Sequence, residues 1–236
     1  KRVVKVSIES QEFIGDFGHD EFVWPCSIAI DKEGNLFCSD EYLNVIIIFD
    51  SNGNRIGRWG DSGSGLGQLN GASGLDFDGD DNLYVVDSLN DRVQKFTKDG
   101  TFLSKFGEEG TGEGQFKFPW GITIDNHGDV YIADWQNHRI QKFSPEGLFL
   151  ATIGNYGTGA GELNHPSDMA VDSEGDIYVC DRANERIQIF DDSGEFITSL
   201  VGDAQELSKW AKQRVEANVD LQKARRRVKS LEQEWR

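Results

Sequence analysis

The chain of 236 residues is long enough for one large domain or two small ones, and its 37% hydrophobic residues fit a globular protein. Its net charge of −17 disfavours broad binding to nucleic acids, because such a surface repels phosphates on average. No apolar run approaches the roughly 18 residues of a membrane span, and the three cysteines do not make a disulfide framework. No signal pattern is present, so the sequence assigns no compartment.

A spacing of 47 residues recurs along most of the chain. It holds in an aspartate column, a phenylalanine column and a glycine column, and chance does not maintain one spacing over several independent columns. The columns are Asp40, Asp87, Asp134 and Asp181; Phe49, Phe96, Phe143 and Phe190; and Gly53, Gly100, Gly147 and Gly194. Each interval is therefore one structural unit.

The third unit divides into four short apolar runs, at residues 121–124, 129–133, 139–143 and 149–153. Two of the three turns between them end in glycine, which suits tight hairpins, and β-branched and aromatic residues fill the runs. Four antiparallel strands in about 45 residues predict the blade of a β-propeller. Helical repeats are excluded, because no unit carries ten residues of 3.6-residue periodicity.

Three units share a polar signature after their second strand. It is Asp-x-x-Asn-x-Arg-(Val/Ile)-Gln-x-Phe, at residues 87–96, 134–143 and 181–190. This signature closely resembles the NHL repeat. The resemblance covers roughly residues 1–202 and implies a six-bladed β-propeller. The first complete unit departs from it, because Leu43 replaces the asparagine and Val45 the arginine.

We therefore predict an all-β chain whose residues 1–202 form a β-propeller of four-stranded NHL-type blades, with blade boundaries near residues 18, 60, 107 and 154. Residues 1–18 match the last two strands of a further blade, which makes about four and a half blades. These blades are too few to close a six-bladed ring. An open ring leaves two strand edges without hydrogen-bond partners, which is unfavourable. We expect the chain to be a fragment, or another segment or chain to complete the ring.

A second segment begins after Gly202. Residues 203–236 contain nine basic and six acidic residues, so that −20 of the charge falls on residues 1–202. Apolar residues step by three and four from Leu221 to Trp235, which predicts an amphipathic, basic helical segment. Three roles remain for it: docking on the acidic propeller, binding a partner or a second copy, and lying on a membrane surface.

Residues that recur in every blade are poor candidates for a binding site, because each blade needs them for packing. Their acidic and basic members flank equivalent corners, and we interpret them as structural salt bridges or loop anchors. These pairs are Asp87 with Arg92, Asp134 with Arg139, and Asp181 with Arg186.

The non-repeating residues are more informative. Strand order places the corners between second and third strands at the same end as the glycine-rich loops between blades. The candidate binding residues at this loop-rich end are Trp24, Tyr42, Trp120, Trp135, His165 and Arg182, with Phe118 and Tyr156 nearby. Aromatic residues on one face suit a protein or peptide partner. The alternative is that Trp24 and Trp120 fill gaps between blades.

Two patterns bear on a metal. Asp76, Asp78 and Asp80 resemble the opening of a calcium loop, but no glutamate closes it and the position is also a hairpin turn. Peptide-amidating lyases, which are related to NHL proteins, place metal-binding histidines around the channel. Here only His165 with Asp168 lies near a comparable place, and zinc usually needs three ligands. We predict no cofactor, with a divalent metal (Ca²⁺ or Zn²⁺) as the alternative.

The leading functional hypothesis is a non-enzymatic scaffold that binds a protein or peptide on its loop-rich face. The alternative is a metal-dependent, lyase-like or lactonase-like six-bladed propeller enzyme with its site in the central channel. No serine or cysteine stands beside a histidine in a nucleophilic motif, which favours the scaffold. RNA binding, known for animal NHL proteins with a basic face, is a third hypothesis, and the acidic propeller argues against it.

Overall fold

The computed structural model describes residues 1–10 and 12–201, and the predicted helical segment 203–236 lies outside these described residues. Four sheets of four antiparallel strands follow one another along the chain, and consecutive strands of each sheet are hydrogen-bonded neighbours. The prediction of an all-β propeller of four-stranded blades is confirmed. In the described part, no helix is both long and apolar enough to cross a membrane.

A two-stranded sheet precedes the four blades. It consists of β1 (Val3–Val6) and β2 (Phe13–Phe17). The first blade contains β3 (Pro25–Ile30), β4 (Leu36–Asp40), β5 (Val45–Phe49) and β6 (Arg55–Trp59). A short parallel pair in the next loop consists of β7 (Asp61–Ser62) and β8 (Gln68–Leu69). The second blade contains β9 (Ala72–Phe77), β10 (Leu83–Asp87), β11 (Arg92–Phe96) and β12 (Phe102–Phe106).

The remaining two blades repeat this order. The third contains β13 (Pro119–Ile124), β14 (Val130–Asp134), β15 (Arg139–Phe143) and β16 (Phe149–Ile153). A second parallel pair consists of β17 (Asn155–Tyr156) and β18 (Glu162–Leu163). The fourth contains β19 (Pro166–Val171), β20 (Ile177–Asp181), β21 (Arg186–Phe190) and β22 (Phe196–Val201). One-turn 3-10 helices form three corners, at Ser88–Asn90, Trp135–Asn137 and Arg182–Asn184.

An aspartate shapes the turn between the first and second strands of every blade. Asp31 Oδ1 accepts hydrogen bonds from the backbone N–H groups of Glu33 (3.0 Å) and Asn35 (2.8 Å). Equivalent bonds are accepted by Asp78, Asp125 and Asp172. Such side-chain bonds give the backbone a turn in place of a continuing strand, so this aspartate column encodes the hairpins.

The hydrophobic core lies between neighbouring blades. Between the third and fourth blades, for example, Tyr131 and Ile140 pack in one cluster with Met169, Val179 and Phe190. The first strands of successive blades also pack against one another and line the central channel. Each blade is thereby packed against its neighbour through its face and through its innermost strand.

Gly74 marks a close approach between the first strands β9 and β13. A Cβ atom at this position would lie 2.6 Å from the carbonyl oxygen of Trp120 and 3.0 Å from the backbone nitrogen of Ile122. Because both are backbone atoms, no side-chain rotation relieves the clash. A larger residue must therefore move one strand away from the other.

We expect Gly74→Ala to lower the free energy of unfolding by about 1–3 kcal/mol, the usual cost of overpacking. The matched control is Gly79→Ala, because nothing lies within 4 Å of a Cβ atom built at Gly79. That control should stay within about 0.5 kcal/mol of the unsubstituted protein. Urea unfolding followed by tryptophan fluorescence measures both, and equal effects would contradict the close approach.

Candidate functional site

One buried carboxylate organises the corner of the third blade. Asp134 is fully buried, and its Oδ2 accepts hydrogen bonds from Arg139 Nε (2.8 Å), Asn137 Nδ2 (2.9 Å) and Gln141 Nε2 (3.0 Å). Its Oδ1 accepts the backbone N–H of Lys117 at 2.8 Å. Four donors on one buried carboxylate make this a satisfied ionic network, which rigidifies the corner.

The same network fastens the corner to the loop before it. Arg139 donates to the carbonyl oxygens of Gly112 (2.6 Å) and Gln115 (2.9 Å). The corresponding ion pairs in the second and fourth blades, Asp87 with Arg92 and Asp181 with Arg186, each span 2.7 Å. Arg139 and Arg186 each donate through Nε and Nη2 to the protein itself, so we assign these arginines to the platform under the binding face.

The first blade lacks the arginine, and its corner is held differently. Asp40 is fully buried, and its carboxylate accepts the backbone N–H groups of Val23 (2.7 Å), Trp24 (2.9 Å) and Leu43 (3.0 Å). Backbone donors therefore replace the side-chain donors of the other blades. The loop before β3 supplies two of them.

Non-repeating aromatic residues of the third and fourth blades form one continuous group, which we name the aromatic cluster. Neighbouring ring centroids lie 4.3–6.3 Å apart, the separation at which aromatic pairs attract. Its members are Phe118, Trp120, Trp135, His138, Tyr156 and His165. The cluster lies at the loop-rich end of the propeller and bridges two blades.

Several kinds of local structure position the cluster. Trp135 begins the 3-10 helix of its corner, and His138 ends that helix with a left-handed φ of 56°. Phe118 and His165 also have left-handed φ values, 52° and 53°, immediately before β13 and β19. Tyr156 belongs to the short parallel pair in the loop between the blades. Corner, strand start and loop thus each contribute rings to one surface.

Arg182 adds a cation to this surface. Its guanidinium carbon lies 5.6 Å from the centroid of the Trp120 ring, within reach of a cation–π contact. Of the predicted binding residues, the structure thus brings together Trp120, Trp135, His165 and Arg182. Trp24 and Tyr42 belong instead to the loop-rich end of the first blade, where they are 60% and 69% exposed.

His138 stands at a repeat position whose side chain accepts a hydrogen bond from the next blade. The backbone N–H of His165 donates to His138 Nδ1 at 3.1 Å. Asn44 and Asp91, which stand 47 residues apart in the same column, accept the equivalent N–H groups through Oδ1, each at 2.6 Å. His138 makes this bond between blades only when Nδ1 carries no proton. Burial and the charge of His165 hold the pKa of His138 below its ordinary value.

We therefore expect stability to fall as pH drops below about 6.5, the ordinary histidine pKa. The unfolded chain then takes up a proton that folded His138 resists. His138→Asn keeps an acceptor without a titrating group. In this variant the fall in unfolding free energy between pH 7 and 5 should be smaller by about 1 kcal/mol or less. Urea unfolding at pH 5 and 7 measures the effect. His127→Asn, at an exposed turn of the opposite end, is the control; an equal change there would refute the assignment.

The three candidate calcium carboxylates have separate surroundings. Asp76 accepts the backbone N–H groups of Phe77 and Ile124, each at 2.8 Å, and burial raises its pKa. Asp78 forms its hairpin turn and an ion pair with Lys95 at 2.7 Å, whereas Asp80 is exposed. Within residues 1–10 and 12–201, no three His, Cys, Asp or Glu side chains are placed to hold a metal ion.

The central channel contains a cavity of about 200 Å³, lined in part by Ser27, Ser73, Trp120 and Asp168. Asp168 Oδ1 accepts the backbone N–H of Met169 at 3.0 Å. Desolvation, and then the nearby charge of Asp76, raise the pKa of the Asp168 carboxyl. Asp168 is the acidic residue among those that line this cavity.

Sequence reasoning missed the part of His138 in the cluster. A signal was present, because Asn44, Asp91, His138 and Glu185 form one more column with a 47-residue step. His138 is the one histidine in that column, and a residue type that does not repeat is a candidate for a specific role. The orphaned Trp135 Nε1, which is buried without a hydrogen-bond partner in the described protein, had no sequence signal.

Comparison with known proteins supports the propeller. The NHL repeat family matches residues 116–143 and 163–190. A chain in the crystal structure of a nidogen/laminin complex superposes with a TM-score of 0.66 at 18% identity, over 86% of this chain and 73% of that one. A protein of unknown function from Bacteroides caccae superposes with a TM-score of 0.63 at 15% identity, over 86% and 69%.

An enzyme shares the fold as well. An inactive H270A virginiamycin B lyase from Staphylococcus aureus, solved with quinupristin, superposes with a TM-score of 0.60 at 15% identity, over 87% of this chain. The present chain spans 61% of that lyase, less than two thirds of its length. No curated protein sequence matches the chain. The chain is thus a β-propeller that contains two matches to the NHL repeat.

Proposed function

We propose that this protein is a scaffold that binds a protein or peptide segment through the aromatic cluster on its loop-rich face. The observation that supports this most is the continuity of the cluster, in which rings from two blades and the loop between them form one surface. Tyrosine, tryptophan and arginine dominate the binding energy of protein interfaces, and the cluster with Arg182 supplies all three.

The base of this surface is rigid before any partner arrives. The buried Asp134 network fixes the corner that carries Trp135 and His138, and the left-handed φ values fix the starts of β13 and β19. Tyr156 is 67% exposed at the edge. Rings held in advance lose little entropy on binding, which favours affinity. Trp24 and Tyr42 offer a second aromatic contact on the same face for a longer partner.

Two structural neighbours show what the fold can host, since one was solved in a nidogen/laminin complex and another is a lyase. The second candidate function is accordingly a metal-dependent enzyme with its site in the channel. Asp168 favours it, because a carboxyl of raised pKa in a cavity is typical of catalytic sites. Metal analysis of the purified protein separates the two: stoichiometric zinc or calcium would favour the enzyme over the scaffold.

Selection of random dodecamer peptides on the immobilised full chain tests the scaffold. We expect selected peptides to bind Tyr156→Ala at least about tenfold more weakly and Trp120→Ala about 30-fold more weakly, as interface anchors do. Leu148→Ala, whose side chain is 66% exposed in a turn of the opposite end, should bind like the unsubstituted protein. Peptides that bind all three variants equally, or no selected peptide at all, would overturn the proposed function.

A further inference from the structure

The loops and corners around the aromatic cluster carry a large excess of negative charge. Their carboxylates include Asp91, Glu109, Glu113, Glu162 and Glu185. Against these, the basic residues in the loops and corners at 88–91, 107–118, 135–138, 154–165 and 182–185 are Lys117 and Arg182. The neighbouring Arg92, Arg139 and Arg186 are already paired with buried aspartates. The field over this face is therefore negative, and it selects the sign of a partner's charge.

The negative charge reaches the cluster itself. Asp91 Oδ1 accepts the backbone N–H of Phe118 at 2.6 Å, so this carboxylate touches a member of the cluster. Burial raises the pKa of Asp91, and the charge of Glu109 raises it further. Asp91 therefore brings an acidic group to the backbone of the cluster, and Glu109 lies in the loop that leads to it.

The rings also favour a cation. Aromatic faces carry negative potential and attract arginine and lysine side chains. Arg182 over the Trp120 ring shows that a guanidinium can occupy this surface. The faces of exposed Tyr156 and half-buried Trp135 are not covered by a basic side chain in the described structure.

We propose that the partner of this face is a basic segment of a protein. An arginine or lysine of that segment contacts the rings of the aromatic cluster, and its remaining positive charge faces the surrounding carboxylates. This inference rests on the proposed function, since it names the chemistry of the partner bound at the same surface. Charge complementarity between the acidic loops and the segment provides the selectivity and speeds the encounter.

The test uses the dodecamers selected on the full chain. We expect them to be rich in arginine and lysine, to bind more weakly as salt is raised, and to lose at least about tenfold in affinity when those residues are replaced by glutamine. Fluorescence anisotropy of the labelled peptides measures each affinity.

A pair of charge-matched protein variants locates the effect. Glu109→Gln/Glu113→Gln/Glu185→Gln removes three exposed carboxylates near the cluster. Glu174→Gln/Asp192→Asn/Glu195→Gln removes three exposed carboxylates at the opposite end, with the same change in net charge. We expect the first to weaken binding roughly tenfold and the second to change it less than about twofold.

The outcomes separate this inference from the proposed function. Peptides that need Tyr156 and Trp120 but are neutral or acidic would overturn the basic partner and leave the scaffold in place. Equal weakening by the two charge variants would also overturn it, because net charge alone would then act. Peptides that ignore Tyr156 and Trp120 would overturn both proposals.

Discussion

Arg139→Met is expected to lower the free energy of unfolding by about 3–5 kcal/mol, the usual cost of leaving one charge of a buried pair without its partner. Asp134 has no exposed surface, and the substitution removes its shortest side-chain contact, the 2.8 Å bond from Arg139 Nε. It also removes the donors to the loop carbonyls of Gly112 and Gln115. Urea unfolding measures the loss.

The control for this variant is Arg182→Met, because Arg182 is exposed at the equivalent end of the next blade. It should cost less than about 0.5 kcal/mol. Burial already raises the pKa of Asp134, and Arg139 opposes that rise. Without Arg139 the pKa rises further, so the folded variant takes up a proton before the unfolded chain does. The deficit should therefore shrink as pH falls from 7 towards 4; a constant deficit would contradict an uncompensated Asp134 charge.

Phe143→Ala should lower the free energy of unfolding by a similar amount, about 3–5 kcal/mol. The ring is 1% exposed and packs against Phe106 at 4.8 Å, Phe116 at 5.4 Å and Phe149 at 6.1 Å between centroids. Removing it leaves a cavity that a rigid sheet cannot refill. The deletion therefore loses both burial and packing.

Leu150→Ala is the matched control for Phe143→Ala, since Leu150 lies on β16 of the same blade and is 49% exposed. We expect it to cost less than about 1 kcal/mol. Thermal unfolding by circular dichroism compares the two. A cost at Leu150 equal to that at Phe143 would mean that the core does not lie between the blades as described.

The repeat made the blades predictable, because a single spacing specified turns, corners and core positions together. In the third blade the predicted strands 139–143 and 149–153 coincide with β15 and β16. The first strand was predicted from 121 but begins at Pro119. Pro119 pairs with Asp134 across a bulge that ends at Ile122, and hydrophobic alternation does not reveal a bulged proline.

The candidate site was predictable in composition but less so in arrangement. Sequence reasoning named Trp120, Trp135, His165 and Arg182 from their place at the loop-rich end. It did not foresee that these four meet across two blades, apart from Trp24 and Tyr42 of the first blade. Ring contacts depend on the backbone directions at left-handed positions such as His165, which a list of residue types does not contain.

The structure does not bring the three acidic candidates together as it does the aromatic ones. Asp76, Asp78 and Asp80 alternate in sequence, and such alternation is shared by metal loops and by hairpin turns. In the structure Asp78 shapes its turn and pairs with Lys95, and Asp76 accepts two backbone N–H groups. The partner of Asp76 Oδ2 could not be read from the sequence, because Ile124 belongs to the neighbouring blade.

The aromatic cluster on the propeller is the surface that we propose binds a protein segment. Hydrogen–deuterium exchange of the full chain, with and without a selected dodecamer, tests it most directly. We expect protection at the backbone amides around Phe118, at the corner from Trp135 to His138, and around His165. Protection confined to the hairpin turns of the opposite end, or to the channel around Asp168, would contradict the claim.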